Sequence, residues 1–205
     1  MKKFYLRTTE ILQGDFEIKE LNLLVVFQVN CPGCFLYSLP QANKIRRRYE
    51  AKGLNVLGLS TAFEDFEWNT LENTRSLLSE GKVVGETKKA LMKLGKDKLP
   101  YNIEFPVAFD QLGKGSEIFQ REDAYFLCET NPRFKSMSPQ QQEQNVRQAQ
   151  LFLMESKVSS YTFTINNLGG TPSWILFHKN MTILEDWFGH REESDFFILL
   201  DKYTA

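Results

Sequence analysis

The chain has 205 residues, with 25 lysines and arginines against 26 aspartates and glutamates, a formal net charge of −1. Hydrophobic residues make up 42% and charged residues 25%, a globular balance that excludes a wholly disordered chain. The near-neutral charge gives no electrostatic case for nucleic acid or a membrane surface as the main partner, and three cysteines are too few for a disulfide-stapled secreted scaffold.

Lys2-Lys3 is followed by Phe4-Tyr5-Leu6 and at once by Arg7 and Glu10, so no apolar signal core of about 7–15 residues follows the basic pair. The run Leu23 to Phe27 is far too short to cross a bilayer, which needs about 20 residues, and a cytoplasmic setting is expected. Leu21 to Gln28 reads as a strand buried on both faces. It ends at Asn30-Cys31-Pro32-Gly33-Cys34. From Phe35 to Lys52 apolar residues recur at helical spacing (Leu36, Leu39, Ala42, Ile45, Tyr49), Gly53 is a stop, and Pro40 predicts a bend in the axis. Arg46-Arg47-Arg48 reads as a solvated flank.

Asn55 to Ser60 is a second buried strand. Thr61 to Gly81 holds a loop and a helix capped by Asn69 or Thr70, Val83 to Leu94 is a weaker helix, and Phe105 to Phe109 is a short strand. Residues 114–157 are polar and Gln-rich, and are expected to form a helical insertion. Within them Ser138-Pro139 with Gln141 has the form of a capped helix start. A short helix is expected over Ser159 to Asn166, a β-hairpin over Ser173 to His178 and Thr182 to Phe188, and a closing helix over Glu192 to Tyr203. Two βαβ-type units and a hairpin imply an α/β fold, a mixed sheet covered by helices, with residues 1–205 as one domain.

The chemistry lies at Cys31 and Cys34. A buried strand ends just before the pair and a helix starts on it. Helix N-termini present unpaired N–H groups and partial positive charge, which favour a thiolate and lower a cysteine pKa below its free value of about 8.5. Pro32 suits the first helical turn. Cys31 can attack a disulfide, and Cys34, one turn on, can resolve the mixed disulfide. A zinc site is the duller alternative, but structural zinc takes four ligands, and Cys128, His178 and His190 are scattered singly. The second marker is Gly169-Gly170-Thr171-Pro172. An X–Pro bond tolerates the cis form, and a proline loop beside a dithiol presents the Thr171 backbone as an edge for a substrate strand.

Cys-Pro-Gly-Cys after Leu-Leu-Val-Val-Phe-Gln, then Ser38-Leu39-Pro40-Gln41, Gly58-Leu59-Ser60-Thr61 and Gly170-Thr171-Pro172-Ser173, resembles the thioredoxin superfamily, in particular its TlpA/ResA-like redoxin branch. The likeness covers about residues 19–112 and 158–204. It implies a thioredoxin-like fold and thiol–disulfide oxidoreductase activity, with Cys31 attacking, Cys34 resolving and Pro172 as a cis-proline. Protein or small-molecule disulfides and dithiols would be the substrates, with a reductant as partner and no cofactor or metal. Three departures stand out. Asn30 replaces the tryptophan common before the first cysteine, Tyr37 stands where a glutamate is frequent, and the strand before the pair carries no buried acid, so no proton acceptor for Cys34 is visible.

Cys128 reads as a buried small residue, and His178 and His190 as surface or packing residues. Phe27, Phe105, Phe109 and Phe177 read as core. Trp174 is weighed both as core and, with Thr171 and Pro172, as part of a substrate groove. Two other functions compete. A peroxiredoxin-like peroxidase would want a hydroxyl three residues before Cys31, where Gln28 stands. A non-catalytic, redox-gated module would use the insertion to bind a partner.

Overall fold

The computed structural model describes residues 2–204. In chain order it forms β1 (Thr8–Gln13), β2 (Leu21–Phe27), a π-helical turn (Cys34–Ser38), α1 (Leu39–Tyr49), β3 (Leu54–Ser60), α2 (Leu71–Glu80) and α3 (Gly85–Lys93). Next come β4 (Val107–Asp110), β5 (Leu112–Gly113), α4 (Gly115–Ile118), α5 (Arg121–Glu129), α6 (Pro139–Glu155), β6 (Ser159–Ser160) and α7 (Tyr161–Ile165). The chain closes with β7 (Ser173–His178), β8 (Ile183–Phe188) and α8 (Glu193–Tyr203).

Six strands make one mixed sheet in the order β1-β4-β3-β2-β7-β8. Strands β2, β3 and β4 run parallel, and β1, β7 and β8 pair antiparallel to their neighbours. The α/β architecture expected from the order of elements is the one observed. Every residue of β2 is buried because both faces of the sheet are covered. Leu21, Leu23, Val25 and Phe27 meet residues of α1, α2, α3 and α8 on one face. Leu24 and Val26 join the other core, which Phe4, Leu6, Phe16, Ile18 and Leu168 close. Burying a large apolar side chain contributes about 1.5–3 kcal/mol, so the continuous apolar run is itself the main source of the strand's stability.

Strand β1 is absent from the sequence reading. It lies at the sheet edge, half exposed, and its residues Thr8-Thr9-Glu10-Ile11-Leu12-Gln13 show no period-two alternation. An edge strand with water on one side needs no apolar face, so pairing with β4 rather than composition specifies it. The strands and helices given their own bounds above fall within two or three residues of them, but the short strands β5 and β6 were not expected: β6 takes the first two residues of the helix expected over Ser159 to Asn166, and α4 and α5 lie inside the insertion, which was read only as helical. Thr70, not Asn69, caps α2, its hydroxyl accepting from the Asn73 N–H. Helix α6 starts with the capping box read from Ser138, Pro139 and Gln141.

The bend expected at Pro40 takes a specific form. The helix widens into an i→i+5 turn, in which the Leu39 N–H donates to the Cys34 carbonyl. In that register the Phe35 carbonyl would pair with residue 40, but proline has no N–H. The Tyr101 hydroxyl donates to Phe35 instead, at 2.6 Å. Arg46, Arg47 and Arg48 pair at the surface with Glu50, Glu104 and Asp201.

Helices α4 to α7 carry a core of their own, with Ile118, Phe119, Phe134, Val146, Leu153 and Tyr161 buried together. Among the described residues no helix is long and apolar enough to cross a membrane.

Candidate active site

Cys31 and Cys34 stand where β2 hands over to the first helix, and they are joined as a disulfide with Cα atoms 5.4 Å apart. Helical backbone begins at Pro32, so Cys31 occupies the cap position. Its carbonyl accepts from the Cys34 N–H at 3.0 Å, and its sulfur accepts from the same N–H at 3.2 Å. That is the arrangement of a side-chain N-cap with sulfur in place of oxygen. Cys31 is partly exposed while Cys34 is fully buried. Only the first sulfur is therefore open to an incoming group.

The proline loop meets the pair from the far end of the chain. The Thr171–Pro172 bond is cis, and the Thr171 carbonyl lies 3.6 Å from the Cys31 sulfur. The loop is closed by Ser173 donating to the Gly170 carbonyl and by the Gly189 N–H donating to Pro172. Gly170 has φ +149°, and a Cβ there would collide with the Phe188 ring, so glycine is required on both counts. The Thr171 N–H has no acceptor among the described residues.

Of the two places weighed for Trp174, the core is the one it takes and the groove is not. Strand pleating turns it away from the proline loop into the sheet core, where it is 1% exposed. It pairs across the strand with Trp187 and packs edge-on against Phe196, with ring centroids 4.8 Å apart. Its side chain offers no surface to a substrate.

Two polar residues at the end of the strand matter more than the sequence reading allowed. Gln28 is buried, its amide donating to the Glu64 carbonyl at 3.3 Å and accepting from the Thr171 hydroxyl at 3.2 Å. It joins the proline loop to the loop after β3, and it leaves no hydroxyl three residues before Cys31. Asn30 is a second junction. Its N–H donates to Asn69 at 2.9 Å, its amide donates to Asp65 at 2.8 Å, and its amide oxygen accepts the Glu86 N–H at 2.6 Å. Helix α3 thus borrows its cap from the residue before the cysteine. Gly85, at φ +52°, leaves the space, since a Cβ there would strike the Asn30 amide. The available signal was a pair of polar residues following the apolar run Leu23 to Phe27, beside the cysteines.

The remaining candidates lie elsewhere or play other parts. Tyr37 is 55% exposed and packs on His190. His178 is exposed, with Nδ1 3.2 Å from the Glu20 carbonyl. Cys128 is a free, partly buried thiol on α5, and burial raises its pKa. The buried carboxylate of Asp110 shares a face with Ala108, on the side of the sheet away from Cys34. It accepts from the Thr61 hydroxyl and from the Thr162 and Phe163 N–H groups, holding the start of α7.

No family model matches the chain, and no curated protein matches it. Solved structures do. A thiol-disulfide isomerase from Corynebacterium glutamicum is 22% identical, with 99% of this chain and 96% of that one covered and a TM-score of 0.57. A thioredoxin-like superfamily protein is 18% identical, covering 100% of this chain and 97% of that one at a TM-score of 0.59. At these identities the likeness shows the fold, and the fold is the thioredoxin fold.

Proposed function

We propose that this chain is a thiol–disulfide oxidoreductase of the TlpA/ResA-like kind, with Cys31 as the attacking and Cys34 as the resolving cysteine. The observation that carries the reading is the asymmetry of the pair. A partly exposed sulfur caps a helix within 3.6 Å of the Thr171 carbonyl, and its disulfide partner is sealed in the core. The helix N-terminus and the Cys34 N–H stabilise a thiolate at Cys31. That thiolate attacks a substrate disulfide, one substrate sulfur leaves as a thiol, and Cys34 then displaces the other while the Cys31–Cys34 bond forms. The free Thr171 N–H and its neighbouring carbonyl offer an edge on which an extended substrate segment can pair, so protein or small-molecule disulfides and dithiols are the substrate class. The reading needs a reductant or oxidant partner to reset the pair and no cofactor. It includes a cytoplasmic setting, which cell fractionation checks, and treats the helical segment after β4 as an addition to the redox unit.

Insulin reduction with dithiothreitol as donor tests it. Cys31→Ser lowers turnover to the uncatalysed background, and Cys34→Ser accumulates mixed disulfides visible as a mass adduct. Turnover retained by Cys31→Ser sinks the reading. Equilibration of the pair with glutathione then assigns the direction, since a strongly reducing pair acts as a reductase.

A further inference from the structure

The stripe of the first helix that faces the sheet runs through Cys34, Ser38, Ala42, Ile45 and Tyr49, none more than 1% exposed. Two members carry a hydroxyl. That of Tyr49 donates to the Phe197 carbonyl at 3.2 Å. That of Ser38 has no partner. A helical serine ordinarily bonds back to the carbonyl four residues earlier. Here that carbonyl belongs to Cys34, and the i→i+5 turn gives it the Leu39 N–H. Nearly all buried polar atoms in folded proteins are paired, and an exception beside a reactive group asks for a reason.

The reason lies in what the disulfide removes. Helical side chains lean back toward the N-terminus, and residues four apart share a side of the axis. The Ser38 hydroxyl is therefore carried over the turn that holds Cys34. In the oxidised protein the Cys34 sulfur has no proton to donate and carries no charge, so it is a weak acceptor, and the Ser38 hydroxyl makes no hydrogen bond to it. Reduction restores one or the other on a buried sulfur that has just lost its covalent partner. We propose that Ser38 is the hydrogen-bond partner of the Cys34 sulfur in the dithiol state and is left unpaired when the disulfide closes.

This rests on the reading of the pair as a redox site and assigns Ser38 as the positioning residue of its resolving half. In the resolving step Cys34–SH and the mixed disulfide Cys31–S–S–R become the Cys31–Cys34 disulfide and R–SH. The S–S bond to R breaks, the bond between the two cysteines forms, and the proton of Cys34 ends on the departing thiol. Ser38 keeps its own proton throughout, donating a hydrogen bond to the sulfur as it takes on thiolate character. The hydroxyl thus holds the dithiol state down relative to the disulfide and eases ionisation of the Cys34 sulfur.

The test uses the full chain with Ser38→Ala and Ser38→Thr. Each is equilibrated with glutathione buffers and the disulfide fraction read by thiol alkylation. Cys34 is titrated by ultraviolet thiolate absorbance in the same variants carrying Cys31→Ala. Alanine is the best helix former and removes only the hydroxyl, so folding, checked by circular dichroism, is retained. Ser38→Ala is expected to shift the equilibrium about tenfold toward the disulfide, equivalent to a potential about 30 mV lower. Cys34 is expected to titrate at higher pH in that variant, and Ser38→Thr, which keeps the hydroxyl, to stay within threefold of wild type. A shift under threefold in Ser38→Ala, a shift toward the dithiol, or equal shifts in both variants overturns the proposal. A wild-type pair that does not exchange with glutathione at all overturns the reading of the site instead, and this inference with it.

Discussion

Around Cys31 the polar side chains tie segments far apart in the chain to one another, while in the segment from Gly115 to Glu155 most of them cap a helix or face water. Gln28 links residue 64 to residue 171, and Asn30 links residues 65, 69 and 86. In the helical segment the corresponding bonds are local, from Gln120 to Asp123 and from Ser138 to Gln141. Helix α6 also leaves Leu151, Phe152 and Met154 exposed, whereas α1 puts its apolar residues into the sheet core. A region held by long-range bonds is positioned only when the whole fold is present. A region held by caps and a small core of its own can loosen by itself. The segment is joined to the sheet at Asp110, which holds the start of α7, and through Tyr161, whose hydroxyl donates to Asp123 at 2.5 Å.

The comparison breaks most readily at Phe134, 1% exposed in the small helical core. Phe134→Ala is expected to cost about 3–5 kcal/mol, lost first as hydrogen-exchange protection in α5 and α6. The disulfide equilibrium with glutathione should stay within twofold of wild type. A larger shift would mean that the two regions fold as one unit.

The joint itself is sensitive to pH. Burial pushes the Asp110 carboxyl up to about 6, against the pull of hydrogen bonds from Thr162, Thr61 and Phe163. A carboxyl with a raised pKa binds its proton more tightly in the folded state than in the unfolded one. Its contribution is therefore fully present below the ordinary value of 3.8 and is lost as pH rises through about 6. Over that window the loss amounts to about 3 kcal/mol. Denaturant unfolding between pH 4 and pH 7 should show this slope in the wild type and a flatter one in Asp110→Asn. Glu104 and Asp201, held below the usual carboxylate range by Arg47 and by Lys52 respectively, act in the opposite sense at lower pH. The smallest effect is at Ser138, where alanine removes the cap of α6 at a cost of about 1 kcal/mol, read as a lower unfolding midpoint with no change at Cys31.

Much of this was legible in the residues. Strands buried on both faces are continuous apolar runs, and helix starts announce themselves by Ser, Thr and Pro. The local pattern alone therefore placed β2, β3, the hairpin, the start of α6 and the cysteine pair at a strand–helix junction. Local pattern cannot specify an edge strand that needs no apolar face, as β1 shows. It cannot decide which face of a strand a tryptophan takes, and Trp174, weighed for both core and groove, lies in the core. Nor can it say that Asn30 caps a helix beginning at residue 85, that Gln28 reaches Thr171, or that the buried Ser38 hydroxyl is left unpaired. Each of these depends on residues far apart in the chain, or on a helical turn widened ahead of a proline. Hydrogen bonds of that kind exist only once packing has brought their two ends together.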